Sequence, residues 1–330
     1  MIGSADGRRI GITGLGTNVP ARVMTNDDMA AFVDTSDEWI QERTGIKERR
    51  IATQDEALSD IALPAVREAL AEAGADASEI DLVICATVTP DMLFPTTSAL
   101  MADTLGMRNA AAYDLLAGCT GFMYAVAQAY AMVSSGLSKR ALVVGGDVLS
   151  KILDWDDRST LVLFGDGAGA VVMEPVDRGG FIGFELGADG GGGEYLWYPG
   201  SGSRHFEDPD SFVKMNGREV FKFATRVMVS SANEILAECG KTVDDIDVYV
   251  PHQANKRIID YAAAKLGIPT EKTIVNVDRY GNTSSGSIPL ALADARADGR
   301  LKDGTLVLLT GMGAGLTWGS ALVEWTNGRA

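Results

Sequence analysis

Short apolar runs alternate along the chain with longer segments in which apolar residues recur at helical spacing. The runs, rich in Val, Ile and Leu, predict buried strands at residues 82–86, 141–145, 248–250 and 305–309. The longer segments predict helices at residues 60–73, 122–134 and 219–237. This alternation is typical of an α/β protein whose sheets are covered by helices.

Two parts of the chain resemble each other. Leu70-Ala-Glu-Ala-Gly74 and Leu236-Ala-Glu-Cys-Gly240 are each followed, after spacers of equal length, by an Ile-Asp pair and an apolar strand. Further on, Gly118-Cys119-Thr120 and Gly281-Asn282-Thr283 each open a predicted helix that leads to a strand. Chance similarity is the alternative interpretation. We interpret the pattern as an ancestral duplication, with an N-terminal half at residues 1–176 and a C-terminal half at residues 177–330.

Composition and charge narrow the class of protein. Hydrophobic residues make up 46% of the sequence, which is ample for a buried core. No uncharged apolar run reaches the roughly 18 residues that a membrane span needs, and residues 1–10 carry charges where a secretory signal would be apolar. We therefore expect a cytoplasmic protein without a membrane partner. The net charge of −16 also argues against nucleic acid as a partner.

Metal and disulfide chemistry is not expected. The three cysteines have no CxxC spacing, and the two histidines form no paired ligand motif. The glycine-rich stretches match neither phosphate-binding nor dinucleotide-binding patterns. His205 lies in a polar stretch and is predicted to be a surface-loop residue, whereas Cys85 and Cys239 are predicted to be structural.

Cys119 is the candidate nucleophile. The sequence Ala117-Gly118-Cys119-Thr120-Gly121 allows a sharp turn from a strand into a helix. A cysteine at a helix N-terminus gains thiolate character from the helix dipole, and its own N–H can help to bind a developing oxyanion. A buried structural cysteine is the alternative.

His252 and Asn282 are candidate partners of this cysteine. His252 directly follows a predicted strand and Pro251, where a polar group is well placed for a site; a hydrogen-bonded core histidine is the alternative. Asn282 occupies the position equivalent to Cys119 in the second half, although it could instead cap the helix that begins near Ile288. Because ligands bind at the loops that follow strands in α/β sheets, we expect the three side chains to converge.

The motifs that surround these residues resemble one family over essentially the whole chain. They are Gly118-Cys119-Thr-Gly-Phe, Pro251-His252-Gln-Ala-Asn255, Gly281-Asn282-Thr-Ser and Gly313-Ala-Gly-Leu-Thr-Trp-Gly319. Together they are similar to the β-ketoacyl-acyl-carrier-protein synthase III family of the thiolase superfamily. The resemblance implies a duplicated, five-layered αβαβα fold, a homodimer, and no metal or redox cofactor.

The resemblance also implies a reaction. Cys119 would be acylated by an acyl-CoA primer, typically acetyl-CoA, and the acyl-enzyme would condense with malonyl-acyl-carrier protein as carbon dioxide leaves, which initiates fatty acid synthesis. His252 and Asn282 would stabilise the enolate, and the N–H groups of Cys119 and Ala314 would bind the acyl oxyanion. Many family members have glycine where this chain has Ala314, which puts the local backbone conformation in question. Asn255 would support the histidine region.

The resemblance also implies substrate-binding residues, at positions of this chain that match those of the family. The implied CoA-binding residues are Thr35, Trp39, Arg43 and Arg158. Phe94 matches a residue that closes the acyl pocket of the neighbouring subunit; core packing is the alternative for Phe94 and for Trp39. An acidic carrier protein needs a positive patch on this acidic chain, for which the candidates are Lys214, Arg218, Lys222, Lys256 and Arg257.

Three other functions stay open at this point. A thiolase-fold relative could condense acyl-CoAs in a secondary pathway, without dependence on the same carrier protein. A cysteine thioester hydrolase would use His252 as a base and release free acid. A non-catalytic binding protein would need the loss of a catalytic group, and all three groups are present.

Overall fold

The computed structural model describes residues 8–204 and 211–326, and everything below concerns these two ranges. His205 lies outside the described residues, so its predicted surface position stays a prediction. Within the two ranges, no helix is both long enough and apolar enough to cross a membrane.

Strands and helices alternate as the sequence pattern predicts. The strands are β1 (Arg9–Asn18), β2 (Val23–Thr25), β3 (Glu48–Arg50), β4 (Leu82–Ala86), β5 (Ala111–Leu115), β6 (Ala141–Asp147), β7 (Gly167–Val176), β8 (Gly180–Ala188), β9 (Leu196–Trp197), β10 (Lys214–Met215), β11 (Val248–Pro251), β12 (Leu306–Gly313) and β13 (Thr317–Glu324). The helices are α1 (Asn26–Met29), α2 (Asp37–Thr44), α3 (Leu58–Ala73), α4 (Thr97–Leu105), α5 (Gly121–Ser134), α6 (Arg158–Leu161), α7 (Gly217–Glu238), α8 (Lys256–Leu266), α9 (Val277–Tyr280) and α10 (Ser287–Ala297).

Two sheets organise the chain. The first has the strand order β5-β4-β6-β7-β1, and the second has the order β11-β12-β13-β8. In the first sheet the parallel pairs β5–β4 and β4–β6 are followed by two antiparallel pairings, and in the second sheet the parallel pair β11–β12 is followed by two antiparallel pairings. The repeated order and directions support a duplication, while the boundary between residues 176 and 177 stays a prediction.

Alternating side chains on the strands pack into separate helical layers. In β4, Leu82, Ile84 and Ala86 point into the central cluster, while Val83 and Cys85 face the cluster around α3 and α4. Helices α5 and α10 form the central layer between the sheets. Helices α7 and α8 cover the outer face of the second sheet. The expected five-layered αβαβα fold is thus confirmed.

The predicted strand at residues 305–309 is longer than expected. It continues as β12 to Gly313, because Thr310 to Gly313 pair with Ser320 to Thr317 of β13. Because this extension contains glycine and threonine, it does not form the continuous apolar run that predicts a buried strand. The extension matters for the site, since it carries the backbone to the cysteine.

The packing of the layers predicts which leucines stabilise the fold. Leu308 is fully buried between the second sheet and its outer helices, whereas Leu137 is 73% exposed. We expect Leu308→Ala to lower the free energy of unfolding by roughly 2–5 kcal/mol, because it removes buried methyl groups and leaves a cavity. Leu137→Ala is the matched control and should change it by less than about 1 kcal/mol. Denaturant unfolding of both variants measures the difference, and equal effects would contradict this assignment of layers.

Candidate active site

Cys119 lies in a 3-10 turn, Gly118–Thr120, directly before α5. Gly118 has a φ of 56°, and a Cβ at this position would lie 2.8 Å from the nitrogen of Ala314. A Cβ on Gly313 would lie 2.6 Å from the nitrogen of Cys119. Only glycine fits such close backbone approaches, so these two residues bring the N–H of Ala314 to the cysteine.

Two threonine hydroxyls connect the same two segments. Thr120 Oγ1 and Thr317 Oγ1 are 2.6 Å apart, and Thr317 Oγ1 also lies 3.1 Å from the carbonyl oxygens of Ala117 and Ala314. The left-handed conformations of this turn fall on Gly315 and Leu316, not on Ala314. The methyl group of Ala314 therefore meets no conformational penalty, and its backbone N–H still reaches Cys119.

Burial opposes the thiolate character expected for Cys119. The residue is 7% exposed, and burial raises the pKa of the thiol from 9.0 to about 11. The Ser284 hydroxyl and the N–H groups of Cys119 and Ala314 act on the sulfur in the opposite direction and lower the pKa. The resting group is therefore a thiol, and the two N–H groups are in place for an anion that develops there.

His252 is a buried, neutral imidazole. It follows β11 directly, and its backbone N–H donates to the carbonyl of Thr310 on β12 at 2.8 Å. The Nδ1 atom lies 2.5 Å from Ser287 Oγ, whereas Nε2 is buried without a hydrogen-bond partner among the described residues. Burial lowers the pKa of the ring to about 3, so His252 is uncharged at neutral pH.

Asn282 is fixed so that its amide N–H₂ group is left to donate. Its backbone pairs with Leu163 and Gly165, and its side-chain Oδ1 accepts from the N–H of Ser284 at 2.9 Å. Helix α10 begins at Ser287 and has Gly286 at its N-cap. The alternative that Asn282 caps this helix is thus wrong.

One short segment brings the three residues together. Asn282 Oδ1 contacts Ser284, His252 contacts Ser287, and the turn Ser284–Gly286 packs against the turn of Cys119. The expected convergence thus has a structural basis in residues 284–287. The catalytic roles of the three residues stay predictions.

Ser284 and Asp147 belong to this site, although the sequence did not single them out. Ser284 adopts a φ of 51°, which is unusual for a residue other than glycine, and its hydroxyl lowers the pKa of both Cys119 and Asp147. Asp147, at the end of β6, accepts a hydrogen bond from Ser285 Oγ at 2.8 Å. The available signal was weak: an acidic residue that ends an otherwise apolar strand.

The predicted CoA-binding residues form one cluster at the surface. The Arg43 and Arg158 guanidinium groups lie 4.6 and 4.7 Å from the centre of the Trp39 ring. Thr35 Oγ1 is buried and has no hydrogen-bond partner among the described residues. Trp39 also packs partly against an apolar cluster, as the core-packing alternative predicts, and its contact with CoA stays a prediction.

Phe94 and Asn255 lie outside this cluster. Phe94 is 83% exposed, which excludes the core-packing alternative. Asn255 caps α8 by accepting from the N–H of Arg257, and its Nδ2 donates to the carbonyl of Arg43. It therefore connects the segment after His252 to a predicted CoA-binding residue.

The five predicted docking residues are all exposed and lie near the N-termini of α7 and α8, which pack together. Carboxylates engage two of them, since Lys222 pairs with Glu219 and Lys256 pairs with Asp260. Arg257 instead lies 5.6 Å from the Phe221 ring, and Lys214 lies 5.5 Å from the Trp197 ring. Arg218 completes the patch. No group of acidic, histidine or cysteine side chains within the described ranges could hold a metal ion.

The raised pKa of Cys119 predicts how its reactivity depends on pH. Because only the thiolate reacts with iodoacetamide, alkylation of Cys119 should accelerate roughly tenfold per pH unit between pH 7 and pH 9 and show no plateau there. Mass spectrometry with peptide mapping follows the modification, and Cys119→Ser identifies background reaction at the other cysteines. A plateau below pH 8 would show that the dipole and hydrogen bonds outweigh burial.

Family models match two parts of this chain. The family described as 3-oxoacyl-[acyl-carrier-protein] synthase III matches residues 113–190, and its C-terminal counterpart matches residues 236–325. The β-ketoacyl-[acyl-carrier-protein] synthase III of Symbiobacterium thermophilum is 53% identical, over 96% of this chain and 98% of that protein.

Solved structures agree with the sequence comparison. The crystal structure of β-ketoacyl-[acyl carrier protein] synthase III from Thermus thermophilus is 52% identical and superposes with a TM-score of 0.91, over 96% of this chain and 99% of that one. The priming β-ketosynthase of the R1128 polyketide pathway is 39% identical with a TM-score of 0.91, over 97% of both chains. This chain therefore belongs to the β-ketoacyl-[acyl-carrier-protein] synthase III family of acyl-transferring condensing enzymes.

Proposed function

We propose that this chain transfers an acyl group from CoA to Cys119 and condenses it with malonyl-acyl-carrier protein, the step that initiates fatty acid synthesis. One observation carries the proposal. A buried thiol with two backbone N–H groups at its sulfur, an uncharged imidazole and an asparagine amide all border residues 284–287, in a chain of this family.

The first half-reaction would load the enzyme. The sulfur of Cys119 attacks the thioester carbonyl of the acyl-CoA, and the N–H groups of Cys119 and Ala314 stabilise the oxyanion that forms. Collapse of this intermediate breaks the bond to CoA, and the thiol proton leaves with the CoA sulfur. The resting thiol carries no charge, so negative charge forms only as the attack proceeds. The two N–H groups stabilise that charge and so lower the barrier to acylation.

The second half-reaction would form the carbon–carbon bond. Malonyl-acyl-carrier protein loses carbon dioxide, and the electron pair of the broken bond forms an enolate on the thioester. Nε2–H of His252 and Nδ2–H of Asn282 donate to the enolate oxygen. The enolate carbon then attacks the acyl group on Cys119 and releases the β-ketoacyl product and the cysteine thiolate.

The remaining contacts would bind the two carriers. Trp39, Arg43 and Arg158 present an aromatic face and two guanidinium groups, which suit an adenine ring and its phosphates. Thr35 supplies a buried hydroxyl, and the carbonyl of the preceding residue, Asp34, accepts a hydrogen bond from Arg158. The exposed Phe94 would contact the acyl pocket of a second subunit in a homodimer. We also infer a cytoplasmic location and no resident cofactor.

A second candidate is priming of a secondary pathway. The likeness to a priming polyketide ketosynthase favours it, and the chemistry at Cys119 would be the same. Turnover with different carrier proteins separates this function from fatty acid initiation. A thioester hydrolase, by contrast, would need His252 as a base, with a lone pair on the ring Nε2 that accepts the thiol proton of Cys119.

The loading step has a direct test. Intact mass spectrometry after mixing the protein with acetyl-CoA should show a stable gain of one acetyl group, which malonyl-acyl-carrier protein then discharges as acetoacetyl product. Cys119→Ser should show no gain, while Cys239→Ser is the matched control and should load normally. Loading only by a longer or branched acyl-CoA would change the primer. No loading by any acyl-CoA would refute the proposal.

Docking of the carrier protein has a separate test. We expect Arg257→Glu to reduce kcat/KM for malonyl-acyl-carrier protein by roughly tenfold or more, because it reverses a charge that faces an acidic partner, with little change in loading from acyl-CoA. Lys265→Glu, at the opposite end of α8, is the matched control. Equal slowing of both half-reactions would argue against this patch.

A further inference from the structure

The imidazole of His252 has one bonded and one free ring nitrogen. Nδ1 lies 2.5 Å from Ser287 Oγ, and both residues are 1% exposed. Nε2 is buried without a partner among the described residues. A neutral imidazole carries a single N–H, so the direction of the Nδ1 hydrogen bond decides whether Nε2 can donate or only accept.

The surroundings of Ser287 favour one direction. Its Oγ accepts from the backbone N–H of Gln253 at 3.3 Å. A hydroxyl has one hydrogen and two lone pairs, so an oxygen that already accepts from Gln253 has its hydrogen available for Nδ1. The ring then carries its own hydrogen on Nε2. The opposite arrangement would direct two N–H groups at one hydroxyl and would leave Nε2 as a lone pair.

We propose that Ser287 is a positioning residue that holds His252 in the Nε2–H form. The proposal rests on the proposed function in one respect, since a donor at Nε2 is what an enolate oxygen requires, whereas a lone pair at Nε2 would repel it. Ser287 is well placed for this role. It is the first residue of α10 and follows the turn that carries Ser284 and Ser285, so the histidine form is set by the same segment that orients Asn282.

Imidazole ¹⁵N NMR of the full chain reads the ring directly. The sequence has only two histidines, and His205→Asn removes the signals of the other one. We expect His252 in the parent protein to carry its proton on Nε2. In Ser287→Ala this preference should be lost, as a mixture of forms or a reversal, whereas Ser287→Thr keeps the hydroxyl and should retain it. Thermal unfolding midpoints establish that each variant is folded.

Kinetics of the two half-reactions test the consequence. Loss of an oxyanion donor costs roughly 10²–10³ in kcat, so partial loss of the Nε2–H form should slow discharge of the acyl-enzyme by malonyl-acyl-carrier protein about tenfold or more. Loading of Cys119 from acyl-CoA should change by less than about twofold. In Ser287→Thr, which keeps the hydroxyl, the rate of discharge should stay close to that of the parent protein.

The outcomes separate this inference from the proposed function. A proton on Nδ1 in the parent protein, or an unchanged Nε2–H form in Ser287→Ala, would overturn the role of Ser287 whatever the activity. A lost preference with an unchanged discharge rate would overturn its part in catalysis. Absence of acyl-enzyme in the parent protein would instead refute the proposed function and leave the NMR result standing.

Discussion

The buried carboxylate of Asp147 is the interaction on which the site depends. It ends β6 of the first sheet and is fully inaccessible to solvent. On one side it accepts from Thr87 Oγ1, the N–H of Val88 and Thr89 Oγ1, and on the other from Ser285 Oγ. Burial raises the pKa of Asp147, while these donors stabilise its charged form. A carboxylate in this position holds the turn of the second half against the first sheet.

That turn and Ser287, which directly follows it, contact the three proposed catalytic residues. Ser284 holds the amide of Asn282 and lies beside the thiol of Cys119, and Ser287 contacts His252. The left-handed backbone of Ser284 costs free energy, and such a conformation persists only where its surroundings enforce it. The hydrogen bonds of Ser285 to Asp147 and to the carbonyl of Ala86 supply that constraint.

Local sequence patterns predicted an α/β protein with a duplication and three candidate residues, whereas the five-layered fold and the roles of these residues came from the family resemblance. Apolar runs and helical spacing indicated the elements. A glycine-flanked position at a helix N-terminus indicated Cys119, a polar residue directly after a strand indicated His252, and near-equivalence to Cys119 indicated Asn282. The contacts of Asp147 with Ser285 and of Ser287 with His252 join residues that are far apart in sequence, so no local pattern reveals them. The pKa of Cys119 was misjudged for a related reason: the helix dipole can be inferred from a motif, whereas the depth of burial cannot.

Burial favours the uncharged form of both Cys119 and His252, and this suits the proposed reaction. It raises the pKa of the Cys119 thiol to about 11 and lowers that of the His252 ring to about 3, so both are uncharged at neutral pH. A cationic imidazole would stabilise the malonyl carboxylate and so oppose the loss of carbon dioxide. Neutral donors gain most when negative charge reaches the thioester oxygen, which occurs only as decarboxylation proceeds. Uncharged resting forms of Cys119 and His252 therefore favour the transition state over the bound substrate.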